Sequence, residues 1–386
     1  MGSQKNHDIR RQLQRLVRLQ PGRHFIVSCY LKLEPRDRSR GKYLIKLKNR
    51  IREVIEALPA GGLTRSESEQ VVGDLHRIQA MLQHPDGLPP TQGLALFASR
   101  PLGLFEVVPL PRVYRSRLLV GRTPQVRELA ALEDEVGLLL AALLDKNGAS
   151  LYQVTAFEAT KLEDLDATAR KSGRFHTNHG APGIGEHGFH NRLRHEREQL
   201  LDAVAGRLFE LDRRAPVRGI VVAASGGEAE ALKMFLHPYV AGKVLGSVRL
   251  ARKGASPRAV HAAVLEAREA FERKLERHLV AEMLLGQGSG WAVNGIGPTL
   301  HALAQGQVRT LLVRADASLP GFRCAATGLL TLEARECRGQ GDAVPVPDII
   351  DDAIEEALRQ RIALDVVFEP DAAETINGLA ALLRFR

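Results

Sequence analysis

The chain has 386 residues, 44% of them hydrophobic and 26% charged, with a formal net charge of +9 and a pI near 9.7. That length is enough for two or three domains with cores of their own, and the balance is that of a soluble globular protein. No apolar run reaches the ~20 residues a membrane helix needs, and residues 1–23 are too polar for a signal peptide. The arginine-led positive excess points to a polyanionic partner, with no membrane role.

A polar helix is expected over residues 8–19, then a strand over 24–33 rich in Phe, Ile, Val and Tyr. Leu44, Leu47, Ile51, Val54, Ile55 and Leu58 repeat at three and four, which predicts a helix over 38–58. Around that apolar stripe run Arg36, Arg38, Arg40, Lys42, Lys46, Lys48, Arg50 and Arg52, broken by a single acid, Asp37. So lopsided a run fits contact with nucleic-acid phosphate better than a generic solvated face. A helix over 66–82 follows, then strands over 93–98 and 104–108 joined by the turn Arg100-Pro101-Leu102-Gly103.

The middle third opens with strands over 136–144 and 150–157, separated by the hairpin signal Asp145-Lys146-Asn147-Gly148. Next comes a segment rich in glycine and histidine, His176 to Gly188, and a helix ending near Leu211. A buried strand over 219–224 leads through Ser225-Gly226-Gly227, expected to cap a helix from Glu228, and a long charge-laced helix covers 260–285. The last third alternates helix 298–304, strand 310–314, a loop with two cysteines, helix 347–361, strand 363–368 and strand 379–385. The expected fold class is α/β with three domains, 1–130, 131–275 and 276–386. The first two would hold mixed sheets and the last a small α/β/α sandwich.

Within the middle third, Gly183-Ile184-Gly185-Glu186-His187-Gly188 spells the dinucleotide pattern G-x-G-x-x-G. No strand precedes it, and the tight turn of that motif must launch from one, so a chance match is the better reading. His176, His179, His187, His190 and His195 are dense enough to raise the question of zinc. The five-residue gap between His190 and His195, the lack of H-E-x-x-H and the lack of a nearby cysteine argue against it. No metal and no cofactor are therefore expected, and the histidines read as solvated or RNA-contacting. Arg192, Arg194, Arg197 and Arg207 suit phosphate contact at a helix start, with Glu196, Glu198 and Glu210 as the alternative ion-pair partners. Cys29, Cys324 and Cys337 are too scattered for a disulfide framework or a zinc ribbon, and structural cysteines are expected.

Several segments together resemble the archaeo-eukaryotic class-1 peptide release factors and their relative pelota. They are Val217 to Ser225, Phe235-Leu236-His237-Pro238 with Lys243-Val244-Leu245, Ala292 to Val313, and Asn377 to Arg384. The likeness lies in their order along nearly the whole chain, and it is to a bacterial, Balon-like branch of that superfamily. It implies a three-domain factor that enters the ribosomal A site and contacts ribosomal RNA, with tRNA and a translational GTPase as further partners, in the cytoplasm. The family's loop carries Gly-Gly-Gln ahead of a helix with an A-R-L-R turn. Here Asn191-Arg192-Leu193-Arg194 matches the turn, which sets Gly183-Ile184-Gly185 opposite a motif whose glutamine is missing. The family's Asn-Ile-Lys-Ser stop-codon motif is also missing, and the basic stretch Lys46-Leu47-Lys48-Asn49-Arg50 stands in a comparable place.

The resemblance thus implies A-site occupancy without stop-codon decoding, in ribosome hibernation or recognition of stalled ribosomes. Two alternatives stay open: a peptidyl-tRNA hydrolase using Glu186 or His187 in place of the glutamine, and an RNA-binding protein unrelated to ribosomes. The residues expected to touch RNA are Arg38, Arg40, Lys42, Lys46, Lys48, Arg50, His179, Gly183, Gly185, His187, His190, Arg192, Arg194 and Arg197.

Overall fold

The computed structural model describes residues 9–20, 22–33, 38, 41–58, 63–83, 88–89, 91–111, 113, 116–166 and 184–386, without the side chains of 10 and 184–193. Arg40, His179 and Gly183 lie outside the described residues, as do the side chains of Glu186, His187, His190 and Arg192. The chain forms two compact units, one of residues 1–134 with 275–386 and the other of residues 135–274. No described helix is long and apolar enough to cross a membrane.

The first unit begins with α1 (Ile9–Val17), β1 (Ile26–Lys32), α2 (Lys42–Ala57), α3 (Arg65–Gln83), β2 (Gly93–Ser99), β3 (Leu104–Leu110), β4 (Arg117–Gly121) and α4 (Arg127–Glu135). The strands make one sheet in the order β3-β2-β1-β4. Tyr43, Leu47, Ile51 and Leu58 of the α2 segment and Val71, Leu75, Ile78 and Leu82 of α3 are buried at three- and four-residue spacing. They pack on Val27, Cys29 and Leu31 of β1 and Leu94, Leu96 and Ala98 of β2, the alternate positions that share one sheet face. The sheet is antiparallel throughout rather than mixed. Two helices in succession return the chain to the end it left, so β2 runs back along β1; one crossover helix would have made the pair parallel. Cys29 is fully buried in this sheet, and burial pushes its thiol up to about 12, which leaves it unreactive.

The second unit holds β5 (Leu139–Asp145), β6 (Gly148–Val154), β7 (Ala159–Asp166), α5 (Ile184–Arg214), β8 (Gly219–Ala224), α6 (Glu228–Lys233), α7 (Pro238–Ala241), β9 (Val244–Val248) and the start of α8 (Pro257–Ser289). Its sheet, β7-β6-β5-β8-β9, is mixed: the β5–β6–β7 meander is antiparallel, and β5, β8 and β9 run parallel. β8 is buried on both faces, as its unbroken apolar run requires. Leu200, Leu201, Val204 and Leu208 of α5 cover one face, and Val260 and Val264 of α8 belong to the core on the other. The helix after Ser225-Gly226-Gly227 is N-capped by Gly227 without a side-chain hydrogen bond, so the serine does not cap it.

The rest of the first unit comprises the end of α8, β10 (Ala292–Asn294), α9 (Ile296–Ala304), β11 (Val308–Arg314), β12 (Gly321–Cys324), β13 (Leu330–Thr331), β14 (Ala343–Val346), α10 (Ile349–Arg359), β15 (Ala363–Val367), α11 (Pro370–Thr375) and β16 (Leu379–Leu383). A sheet in the order β10-β16-β11-β15 forms here. Val280 and Met283 of α8 and Ala372 of α11 pack with Leu312, Ala380 and Leu382, while α9 and α10 pack against β16, β11 and β15. Gly378 leads into β16 with φ +83°, and a Cβ there would lie 2.9 Å from Ile296. Both facts restrict the position to glycine.

The segment expected as a cysteine-bearing loop is a second, three-stranded sheet, β13-β12-β14. Against the expectation, Cys324 and Cys337 are joined in a disulfide, with Cα atoms 5.2 Å apart. A one-turn 3-10 helix, Ala334–Cys337, carries the second cysteine back beside β12 across thirteen residues of chain. Spacing along the chain did not reveal that fold-back.

A buried charge cluster lies between the first unit's early and late segments. Arg127 of α4 reaches Asp348 at 3.0 Å and Asp351 at 2.8 Å, and Arg117 of β4 reaches Asp348 at 3.3 Å. Thr123 donates to Asp352 at 3.1 Å, and Arg323 of β12 meets the same carboxylate at 2.7 Å. Arg359 closes the row on Glu355. Burial, with Asp348 and Asp352 beside it, pushes Asp351 up to about 6; burial likewise pushes Glu355 up to about 7 against the pull of Arg359 and Arg323.

Candidate nucleic-acid interface

The core contacts of α2 fix which way its cations point. With Tyr43, Leu47 and Ile51 inward, and the Tyr43 hydroxyl donating to the Leu82 carbonyl at 3.2 Å, Lys42, Lys46, Lys48 and Arg52 fall on the exposed side. Ile45 stands among them, 60% exposed. Two further cations of the run, Arg38 and Arg50, hold backbone carbonyls. Arg38 donates to the carbonyls of Pro89 at 2.8 Å and Leu88 at 2.9 Å, and Arg50 donates to the Ser116 carbonyl. Two of the six residues expected from this region to touch RNA thus brace backbone. Lys42, Lys46 and Lys48 present a basic face, and Arg40 lies outside the described residues.

In the second unit, α5 begins at Ile184, so Gly185, Glu186, His187 and His190 sit in its first two turns rather than in a loop. The first turn's N–H groups have no intrahelical acceptor in any helix, so glycine there forfeits less than in the interior. The same unpaired donors suit an anion. Arg194, His195 and Arg197 are exposed further along. Arg197 lies 3.9 Å from Glu228, His195 accepts from Gln199 at 3.0 Å, and Arg207 is held by Glu163 and by Glu210. The hydrogen bonds that Arg207 donates to Glu163 and Glu210 raise its guanidinium above its usual value. Of the ion pairs named from the sequence, Arg207 with Glu210 is present, while Arg197 faces Glu228 instead. No group of three or more metal-ligating side chains occurs among the described residues.

Residues 124–269 match the family model of the bacterial archaeo-eukaryotic release factor family 10, and the resemblance drawn from the sequence is borne out. No curated protein matches the chain. Among solved structures, the chain is similar to the archaeal translation termination factor aRF1, at 16% identity over 98% of this chain and 97% of that one, TM-score 0.26. It is also similar to Saccharomyces cerevisiae Dom34, described as a translation termination-like factor, at 11% identity over 73% and 72%, TM-score 0.43. A third likeness is to a chain in a model of ribosome-bound archaeal Pelota and ABCE1, at 15% identity over 97% and 94%, TM-score 0.41.

Proposed function

We propose that this protein is a ribosome-binding translation factor of the cytoplasm that occupies the A site without decoding a stop codon, in ribosome hibernation or in recognition of stalled ribosomes. The observation that carries the reading is the family match over residues 124–269 in a chain that has Gly183-Ile184-Gly185 where that class has Gly-Gly-Gln. The exposed lysines of α2 would meet ribosomal RNA, and the start of α5 would reach toward the peptidyl-tRNA end. A translational GTPase is the further partner in this reading.

Hydrolysis needs a group within hydrogen-bond reach of the attacking water, and it needs tighter binding of the transition state than of the ester. Gly183 and Gly185 offer only backbone groups there, and Ile184 adds an apolar side chain that cannot take a proton. Glu186 and His187 are the nearest side chains able to take a proton. Sucrose-gradient profiles from growing and starved cells test occupancy: co-migration with ribosomes in either state supports it, and a profile confined to free fractions overturns it. Release of labelled peptide from stalled complexes tests the chemistry. The expected result is occupancy with little release. Rapid release that is lost in Glu186→Ala or His187→Ala would replace this reading with a peptidyl-tRNA hydrolase.

A further inference from the structure

The last turns of α5 carry a cluster of rings and cations that the reading above leaves unused. Arg213 and Arg214 are exposed in the final turn. The Arg213 guanidinium lies 5.9 Å from the centre of the Phe209 ring, one turn earlier. Phe209 in turn meets the exposed imidazole of His237, centroids 4.9 Å apart. His237 Nδ1 accepts the Tyr239 N–H at 3.2 Å, which leaves Nε2 as the ring's donor. Tyr239 is 58% exposed, with the Lys243 ammonium 4.5 Å from its ring centre.

The row is braced from beneath. Both oxygens of buried Asp212 hold Lys243, at 2.7 and 2.8 Å, and the same carboxylate accepts the Val217 N–H at 2.9 Å. Burial works against the Lys243 charge, but the hydrogen bonds to Asp212 and Tyr239 keep the ammonium above its usual value. One carboxylate thus ties the end of α5, the entry to β8 and the segment before β9 into a single support for the exposed rings of His237 and Tyr239.

We propose that Phe209, Arg213, Arg214, His237 and Tyr239, with Lys243 bracing the Tyr239 ring from beneath, form a binding surface for unpaired RNA, with Tyr239 as the platform on which a base stacks. Ring faces accept any base, cations between them meet the phosphates that join successive bases, and a duplex offers no open base to stack. Asp212 is engaged with Lys243, and Glu210, next to Phe209 on α5, with Arg207 at 2.6 Å. Exposed rings beside cations favour a polyanion that also carries bases to stack over an acidic peptide, which has none, and over an apolar one, which has no charge. The proposal stands apart from the ribosome reading, because any unpaired RNA carries this chemistry.

The test uses the full chain and a short single-stranded oligoribonucleotide containing 4-thiouridine, cross-linked by light and mapped by peptide. The expected result is a cross-link within residues 209–243. Tyr239→Ala should weaken it about tenfold while Tyr239→Phe retains it, and the same-sequence duplex should fail to compete. The cross-link should persist when Lys42, Lys46 and Lys48 are replaced by Glu, which separates it from the α2 face. Cross-links confined to residues 42–57, equal competition by duplex, or an unchanged yield in a folded Tyr239→Ala protein would each overturn the proposal. So would capture of a ribosomal protein in place of RNA at this surface when intact ribosomes are the probe. Pelleting of Tyr239→Ala with ribosomes then tells whether ribosomal RNA is the source. Loss of that pelleting with the oligonucleotide cross-link intact in wild type supports the surface, and retained pelleting beside a lost cross-link assigns it to another RNA.

Discussion

Two regions of this protein are rich in arginine and lysine, and they use the charge in opposite ways. In the cluster around α10, Arg117, Arg127, Arg323 and Arg359 each face a buried carboxylate, so the cations are internal fasteners. On α2, Lys42, Lys46 and Lys48 project from a helix whose other side is anchored in the core. The difference teaches that a net charge of +9 says little about how much positive charge is available to a partner. Burial, which the residue count does not contain, decides it.

The largest effect is expected where charge is internal. Arg127→Ala strands Asp348 and Asp351 without their closest cation and should cost about 3–5 kcal/mol, read as a lower unfolding midpoint, while ribosome binding per folded molecule stays unchanged. Loss of ribosome binding in a folded Arg127→Ala protein would break the contrast.

The mirror experiment replaces Lys42, Lys46 and Lys48 by Glu. If each lysine meets one phosphate, affinity for ribosomes should fall roughly two to three orders of magnitude at 0.1 M salt, with a salt slope about three units shallower. The melting temperature should barely move, and unchanged co-sedimentation would remove α2 from the contact surface.

A smaller effect concerns pH. A carboxyl raised by folding gives stability that is present below its unfolded value and lost as pH rises through its folded one. With Asp351 near 6 and Glu355 near 7, the cluster's share of stability should decline between about pH 4 and 7. Glu355→Gln, which cannot ionise, should lessen the fall between pH 5 and 8 by about 1–3 kcal/mol. An identical pH profile for the two proteins in thermal melts would show that the cluster does not titrate in this window.

Smallest of all should be Arg197→Ala. Its carboxylate partner is 3.9 Å away and the arginine is 44% exposed, so stability should change by no more than about 0.5 kcal/mol. Any larger change would place Arg197 with the fasteners.

The sequence made the repeating elements of the fold legible because periodicity reports burial directly. The Leu47, Ile51 and Leu58 stripe gave α2, and the apolar run at 219–224 gave β8 with its observed ends. Short elements, with too few residues to show a period, were not legible. β4 and β9 are five residues each, and the three strands around Cys324 exist only because residues 321–346 fold back on themselves. For the candidate site, the sequence identified the basic run but could not separate Lys48 from Arg50, two residues apart. Arg50 is turned to the Ser116 carbonyl by the close approach of β4. Nor could it find the ring and cation row, since Phe209, His237 and Tyr239 lie on different elements.

The second unit is an uninterrupted stretch set into the sequence of the first, and that has a consequence for birth of the molecule. Arg127 and Asp348 are 221 residues apart. At translation speeds of about 5–20 residues per second, Arg127 waits roughly 10–45 s for its counter-charge to emerge. The intervening unit has all its strands within that interval and is expected to acquire its structure before the buried charge cluster can close. The nascent N-terminal segment, meanwhile, holds two arginines, Arg117 on β4 and Arg127 on α4, whose partners are still unmade. A chain halted at residue 274 should yield a protease-resistant fragment from the centre outward, leaving the earlier residues as the ones a chaperone must shield.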